Sequence, residues 1–169
     1  MKKIFQFISI FLFLTTLSLS ALETTGSGIR VKKIAFVSVK VYSITHQMKD
    51  KSEKSASAVI NADTDKKFIL KMLRDVDSAK IVSAINDAFK LNGYNNTGNM
   101  NKFSTPLKGD LSEGDVITIS YDSASKTTTC SYKGKSSSVA GDDFMKATWK
   151  IWFGKIDQPE LTNQLMSKL

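Results

Sequence analysis

Apolar and polar positions along this chain repeat with two periods, and the changes between them divide it into strands and helices. The segment Ala35-Phe-Val-Ser-Val-Lys-Val-Tyr-Ser-Ile44 is dense in β-branched and aromatic residues and predicts a strand. One face would carry Ala35, Val37, Val39, Val41 and Ser43, the other Phe36, Ser38, Lys40, Tyr42 and Ile44. Apolar residues on both faces place this strand in the interior of a sheet. Ala56 to Asn61 and Lys67 to Leu73 predict two more strands, separated by the turn-forming Asn61-Ala-Asp-Thr-Asp65. From Asp77 or Ser78 the period lengthens: Ile81, Val82, Ile85, Ala88 and Phe89 make the apolar stripe of a helix that Asn92-Gly93 stops. Tyr94 to Lys102 is polar and reads as a loop.

Asp115 to Tyr121 and Thr127 to Tyr132 flank Asp122-Ser-Ala-Ser-Lys126, the pattern of a hairpin, and Gly134 marks a turn before a short strand at Ser136 to Ala140. Asp142 or Asp143 can then cap a helix whose Phe144, Thr148, Ile151 and Trp152 share a face, ended by Gly154. Asp157-Gln-Pro-Glu has the form of another helix start, with Leu161, Leu165, Met166 and Leu169 behind it. Antiparallel strands with three segregated helices make an α+β domain, and no repeat or linker divides residues 22–169.

The first 21 residues follow a different rule. Lys2 and Lys3 precede an apolar run from Ile4 to Leu14, which passes into small residues ending at Ser18, Ser20 and Ala21. This is the layout of a secretory signal peptide, so a cleaved leader and a periplasmic or secreted location are expected. No cysteine follows to carry a lipoprotein anchor. An uncleaved membrane anchor is the other reading, because residues 4–22 are about long enough to span a bilayer.

That division sharpens the charge. The chain has 24 Lys+Arg against 16 Asp+Glu, a net +8; with Lys2 and Lys3 in the leader, the remainder carries 22 against 16, or +6. Its basic residues are spread out and include only two arginines, Arg30 and Arg74. Nucleic-acid binders cluster basic residues among stacking aromatics and use Arg to read base edges, so no nucleic-acid partner is expected. A solvated Lys-rich surface, with weak attraction to anionic membrane headgroups, fits the pattern.

One histidine, His46, and one cysteine, Cys130, limit the chemistry further. A multi-His metal site and an intramolecular disulfide are excluded, and no metal or cofactor is expected. His46 at a strand end reads as exposed, Cys130 as a packing thiol, and Trp149 and Trp152 at helical spacing as core. Asp142 and Asp143 lack a partner that would make them a catalytic pair, so no catalytic residue is assigned.

Arg30 stands apart. It lies in Gly26-Ser-Gly-Ile-Arg-Val with apolar neighbours on both sides, and a guanidinium drawn toward an apolar interior needs an anion or a full set of acceptors. A ligand carboxylate or enolate would serve, with the Tyr42 hydroxyl as a second donor. Pairing with an acid such as Asp75, or exposure at a strand end, is the structural alternative. A straight strand from residue 30 to 42 would separate the two side chains by roughly 40 Å. A shared site therefore requires the chain to fold back or bulge between Val31 and Ser38, with Lys32-Lys33 as the expected turn.

Gly26-Ser-Gly-Ile-Arg30, followed by Phe36 and Val39-Lys-Val-Tyr42, resembles the opening signature of the chalcone isomerase-like proteins. Leu73-Arg-Asp-Val76 ahead of the helix, Gly114-Asp115 before a strand, and Phe144 to Gly154 ending in Ile-Trp-Phe-Gly are similar to the exported bacterial branch. The resemblance spans nearly all of residues 22–169 in order. It implies a large antiparallel sheet covered on one face by helices, with a ligand cleft between the layers. It also implies a division of function. The plant enzymes cyclise a chalcone to a flavanone with an arginine, matched here by Arg30, and a threonine in the following strand. Here Tyr42 occupies that strand position, and the enzymes' further tyrosine and asparagine are not matched. Arg30 with Tyr42 resembles the carboxylate clamp of the fatty-acid-binding relatives. The expectation is an exported, non-enzymatic protein that binds a fatty acid or another amphipathic anion. The alternatives are an isomerase of the chalcone–flavanone type, an intramolecular lyase, and an interaction protein whose cleft its own side chains fill.

Overall fold

The computed structural model describes residues 21–169, so the leader assigned to residues 1–21 lies almost wholly outside the described residues. Six strands follow one another in a single antiparallel sheet in chain order: β1 (Glu23–Ile34), β2 (Val37–Met48), β3 (Lys66–Met72), β4 (Val116–Asp122), β5 (Thr127–Tyr132) and β6 (Lys135–Ala140). The helices are α1 (Ala56–Asn61), α2 (Ser78–Leu91), α3 (Thr97–Phe103), α4 (Asp142–Phe153) and α5 (Pro159–Leu165). A 3-10 turn at Thr105–Leu107 follows α3. The α+β architecture inferred from the periodicity is the one observed.

Alternation along β2 to β5 decides which face is covered. Tyr42, Ile44, His46 and Met48 of β2 are buried, as are Phe68, Leu70 and Met72 of β3, Ile117, Ile119 and Tyr121 of β4, and Cys130 and Tyr132 of β5. The opposite face is polar and half-buried, and hydroxyl pairs such as Ser27–Thr45 and Thr129–Ser138 bridge neighbouring strands across it. The centre of the core is Phe68, whose ring lies 4.5 Å from Trp152, 5.1 Å from Trp149 and 4.8 Å from His46, centroid to centroid. Such tilted aromatic pairs add to simple area burial.

Gly26 and Gly28 have a packing role. They face the covered side of β1, and a Cβ on either would overlap α5: the Gln164 and Leu165 backbone at Gly26, the Leu161 and Gln164 side chains at Gly28. Their absence of side chain is what lets α5 lie directly across β1 and bury Leu161 and Leu165.

Two expected elements differ. Residues 56–61, read as a strand, form α1: the Ser55 hydroxyl accepts from Ala58 N at 3.1 Å, capping a run too short for its apolar period to distinguish helix from strand. Residues 94–102, read as a loop, contain most of α3, capped by Asn96 and anchored by Met100 and Phe103 one turn apart. The Asp caps expected for α4 and α5 are also corrected. Gly141 is the α4 N-cap, with Asp142 and Asp143 inside the first turn, and Gln158 precedes α5. Neither of those caps uses a side-chain bond, whereas Asp77 caps α2 as expected, accepting from Ala79 N and Lys80 N.

Candidate functional site

The chain folds back between β1 and β2 at Ala35-Phe36, a few residues beyond the Lys32-Lys33 turn expected, and Ala35 takes the left-handed φ of 53° needed for so tight a reversal. The strand expected over residues 35–44 is therefore the reversal plus most of β2. The reversal makes Arg30 and Tyr42 direct cross-strand partners. Directly opposed residues have Cβ atoms about 5 Å apart, so the two side chains share one region of the covered face.

A bulge refines their aim. Arg30 pairs with Tyr42 but Val31 pairs with Lys40, which leaves Val41 without a partner on β1. A bulge sets consecutive side chains on the same side and breaks strict alternation. Val41 and Tyr42 accordingly line the same cavity. The apolar residues on both nominal faces of the 35–44 segment reflect this break as well as β2's interior position.

The Arg30 guanidinium is largely buried, with 19 % of its side chain exposed, and forms an ion pair with the exposed Asp157 at 2.6 Å. Its Nη1 also donates to Gln158 Oε1 at 3.3 Å. That same oxygen accepts from Val31 N at 2.9 Å, while Gln158 Nε2 donates to Ile29 O at 2.9 Å. The segment before α5 thus closes the free edge of β1 and holds an acid beside Arg30. Asp75, the partner considered from sequence, instead accepts from Glu113 N.

Tyr42 is buried, and its hydroxyl accepts from Trp152 Nε1 at 3.1 Å. Among the described residues no protein acceptor receives the Tyr42 O–H proton. Burial raises its pKa, while the Trp152 bond and the nearby Arg30 charge work against the rise. The net shift is upward, so the phenol remains a neutral donor at physiological pH.

A cavity of about 460 Å³ opens beside these two groups, between the sheet and helices α2 and α4. Its wall is aliphatic: Leu70, Ile117 and Ile119 from the sheet, Ile81 and Ile85 from α2, Ile151 from α4. A second hollow of about 470 Å³ adjoins it and shares Lys32, Val41, Ile81, Ala84 and Asp87 with the first. The cleft expected between sheet and helices is present, and it reaches Arg30. An apolar chamber with a few convergent polar groups is the common form of a small-molecule site, and this volume falls in the usual range of roughly 300–1,000 Å³.

Comparison with known proteins adds to this geometry. A family model described as chalcone isomerase-like matches residues 14–166. The chain belongs to the chalcone isomerase-like family. Among solved structures, a fatty-acid binding protein of Arabidopsis thaliana superposes on this chalcone isomerase-like chain with a TM-score of 0.68 at 13 % identity, covering 86 % of each chain. At that identity the likeness is one of fold. No curated protein sequence matches.

The remaining candidates of this chalcone isomerase-like domain are structural. His46, read as exposed, is fully buried. Trp149 Nε1 donates to His46 Nε2 at 2.9 Å, which leaves the ring proton on Nδ1 to bond Thr25 Oγ1 at 2.6 Å. Thr25, at the other irregularity of β1, passes its own proton to Leu165 O at 2.7 Å. Burial, with the Lys66 charge nearby, holds the His46 pKa down at about 3. Cys130 is fully buried and burial pushes its thiol up to about 12, so it packs as a neutral thiol. Among the described residues no group of three or more His, Cys, Asp or Glu is arranged to hold a metal.

Two residues that sequence reasoning passed over have defined roles. Trp152, read as core, also supports the Tyr42 hydroxyl; its three-residue spacing from Trp149 was the available signal. Lys66 is fully buried, with Nζ donating to Val59 O at 2.7 Å and Ala62 O at 2.8 Å, and lies 4.8 Å from the Trp149 ring centre. It satisfies the free carbonyls at the end of α1, and burial lowers its pKa to about 7. Nothing in a Lys-Lys pair at residues 66–67 distinguishes the buried member from the half-buried one except the strand register.

Proposed function

We propose that this protein binds a fatty acid or a similar amphipathic anion without turning it over, with the tail in the aliphatic cavity and the carboxylate at Arg30 and Tyr42. The observation that carries the reading is the Tyr42 hydroxyl. It is buried, fixed by Trp152, neutral, and has an O–H proton with no protein acceptor among the described residues, in a cavity that Arg30 also lines. A carboxylate oxygen would accept that proton and a guanidinium N–H together, and such charge-assisted bonds are stronger than neutral ones. Asp157 is itself exposed and pairs with Arg30, so ligand entry exchanges one carboxylate for another and leaves no buried charge unpaired. The fatty-acid binding title of the Arabidopsis structure supports the same ligand class. The chamber's volume speaks against the alternative of a cleft filled by the protein's own side chains.

Native mass spectrometry of the purified protein should show one long-chain anionic lipid per chain, and Arg30→Ala should weaken a titrated fatty acid by about 10- to 100-fold, the worth of a charge-assisted bond. Undiminished affinity in Arg30→Ala would remove the head-group assignment. Filling the cavity from α2 with Ile85→Trp should abolish binding while the protein stays folded, checked by calorimetry beside circular dichroism. We also propose that the protein is periplasmic or secreted after cleavage near Ala21, a reading supported by the leader-like pattern of residues 1–21. N-terminal sequencing of the protein from its native host tests this, and an intact Met1-Lys2-Lys3 start would contradict it.

A further inference from the structure

The β1–β2 hairpin is longer than the sheet that carries it. The β2–β3 ladder ends at Tyr42 paired with Met72, so Val37 to Lys40 run on with β1 as their only strand partner, a two-stranded arm of roughly 13 Å. The base of this arm is engaged, since Lys32, Val39 and Val41 wall the hollow beside α2. The tip is not. Phe36 is fully exposed and Val37 is 62 % exposed at the reversal, although a soluble surface gains nothing from a protruding Phe-Val pair.

Charge identifies what this tip fits. From Thr24 to Lys49 the sequence contains no Asp or Glu, while Arg30, Lys32, Lys33, Lys40 and Lys49 are all basic. Arg30 is neutralised by Asp157, but Lys33 beside the tip and Lys40 nearer the base of the arm are exposed. An apolar point ringed by lysines is complementary to an anionic bilayer: Phe36 and Val37 can enter the headgroup–acyl boundary while the lysines meet lipid phosphates. A nucleic acid would leave the apolar point unused.

We infer that the β1–β2 arm docks this protein on anionic membrane surfaces through Phe36 and Val37, with Lys33 and Lys40 at headgroup level. Docking by the arm is independent of the cavity's occupant and would survive the failure of the fatty-acid reading. It would also bring the cavity rim at Lys32 close to the bilayer.

Phe36→Trp supplies the test, because the native Trp149 and Trp152 are buried and the introduced indole reports from the tip. With the full chain and vesicles of phosphatidylcholine containing about one-third phosphatidylglycerol, emission from the introduced indole should shift to the blue and be quenched by brominated acyl chains. Adding Lys33→Gln and Lys40→Gln should weaken the partition by about 25-fold, at about fivefold per lysine. Three results would overturn the inference. The introduced indole could keep the emission of a water-exposed group, including when the protein sediments with vesicles through its N-terminal residues. The shift could appear without lipid and grow with protein concentration, which would make the tip a contact between copies of this chain. The partition could be unchanged by the two lysine substitutions.

Discussion

Trp149→Ala is expected to lower the free energy of unfolding by about 3–5 kcal/mol, the range for a large aromatic removed from a packed core. Trp149 is fully buried, contacts Phe68, and lies under the Lys66 ammonium. Its indole N–H is also the donor to His46 Nε2, so truncation both opens a cavity and orphans a buried ring nitrogen. Trp149→Phe separates these effects. It keeps most of the apolar volume and should cost about 1–3 kcal/mol, mainly for the unsatisfied nitrogen. Denaturant unfolding of the two variants checks both figures. Equal losses would mean that the hydrogen bond, and not the packing, dominates.

The second large effect is a pH dependence assigned to one residue. The folded protein holds His46 neutral, with a pKa of about 3, whereas an unfolded histidine titrates near 6.5. The depressed folded value means that its contribution to stability is fully present above pH 6.5. It is lost as pH falls from there toward 3, because only the unfolded chain takes up the proton. The slope is about 1.4 kcal/mol per pH unit, or roughly 2–3 kcal/mol between pH 6.5 and 4.5. His46 is the only histidine in the sequence, and the upper part of this interval lies above the ordinary range for carboxylates. His46→Gln should therefore flatten the stability profile between pH 6.5 and 4.5, whatever it does to the absolute stability. A slope unchanged in that variant would show that His46 is not the group responsible.

The periodic pattern revealed the six-strand framework except for β1, whose Gly26-Ser-Gly-Ile-Arg run carries little alternation. Its glycines answer to α5, more than 130 positions away, and sequence spacing does not encode that contact. The nearness of Arg30 to Tyr42 was legible for a chemical reason, since a cation among apolar residues needs a partner, and the two are cross-strand neighbours. That chemistry also required a reversal between residues 31 and 38, though not the position of the turn. Trp152 and Asp157 were legible only as a core residue and a helix cap, because their partners, Tyr42 and Arg30, lie at the opposite end of the chain. The burial of His46 was hidden in the same way by Trp149 and by the irregularity at Thr25. Short elements such as α1 depend on one cap and on Lys66, and a six-residue apolar run does not announce either.

In the proposed binding mode the cavity holds an amphipathic anion by its head group. Isothermal titration of the wild-type protein with a sixteen-carbon fatty acid and with its methyl ester tests this most directly, because the two share a tail and differ in the carboxylate. One site per chain is expected for the acid, with the ester weaker by about 10- to 100-fold, the loss of a charge-assisted bond to Arg30 and Tyr42. Equal affinities, or no binding of the acid, would contradict it.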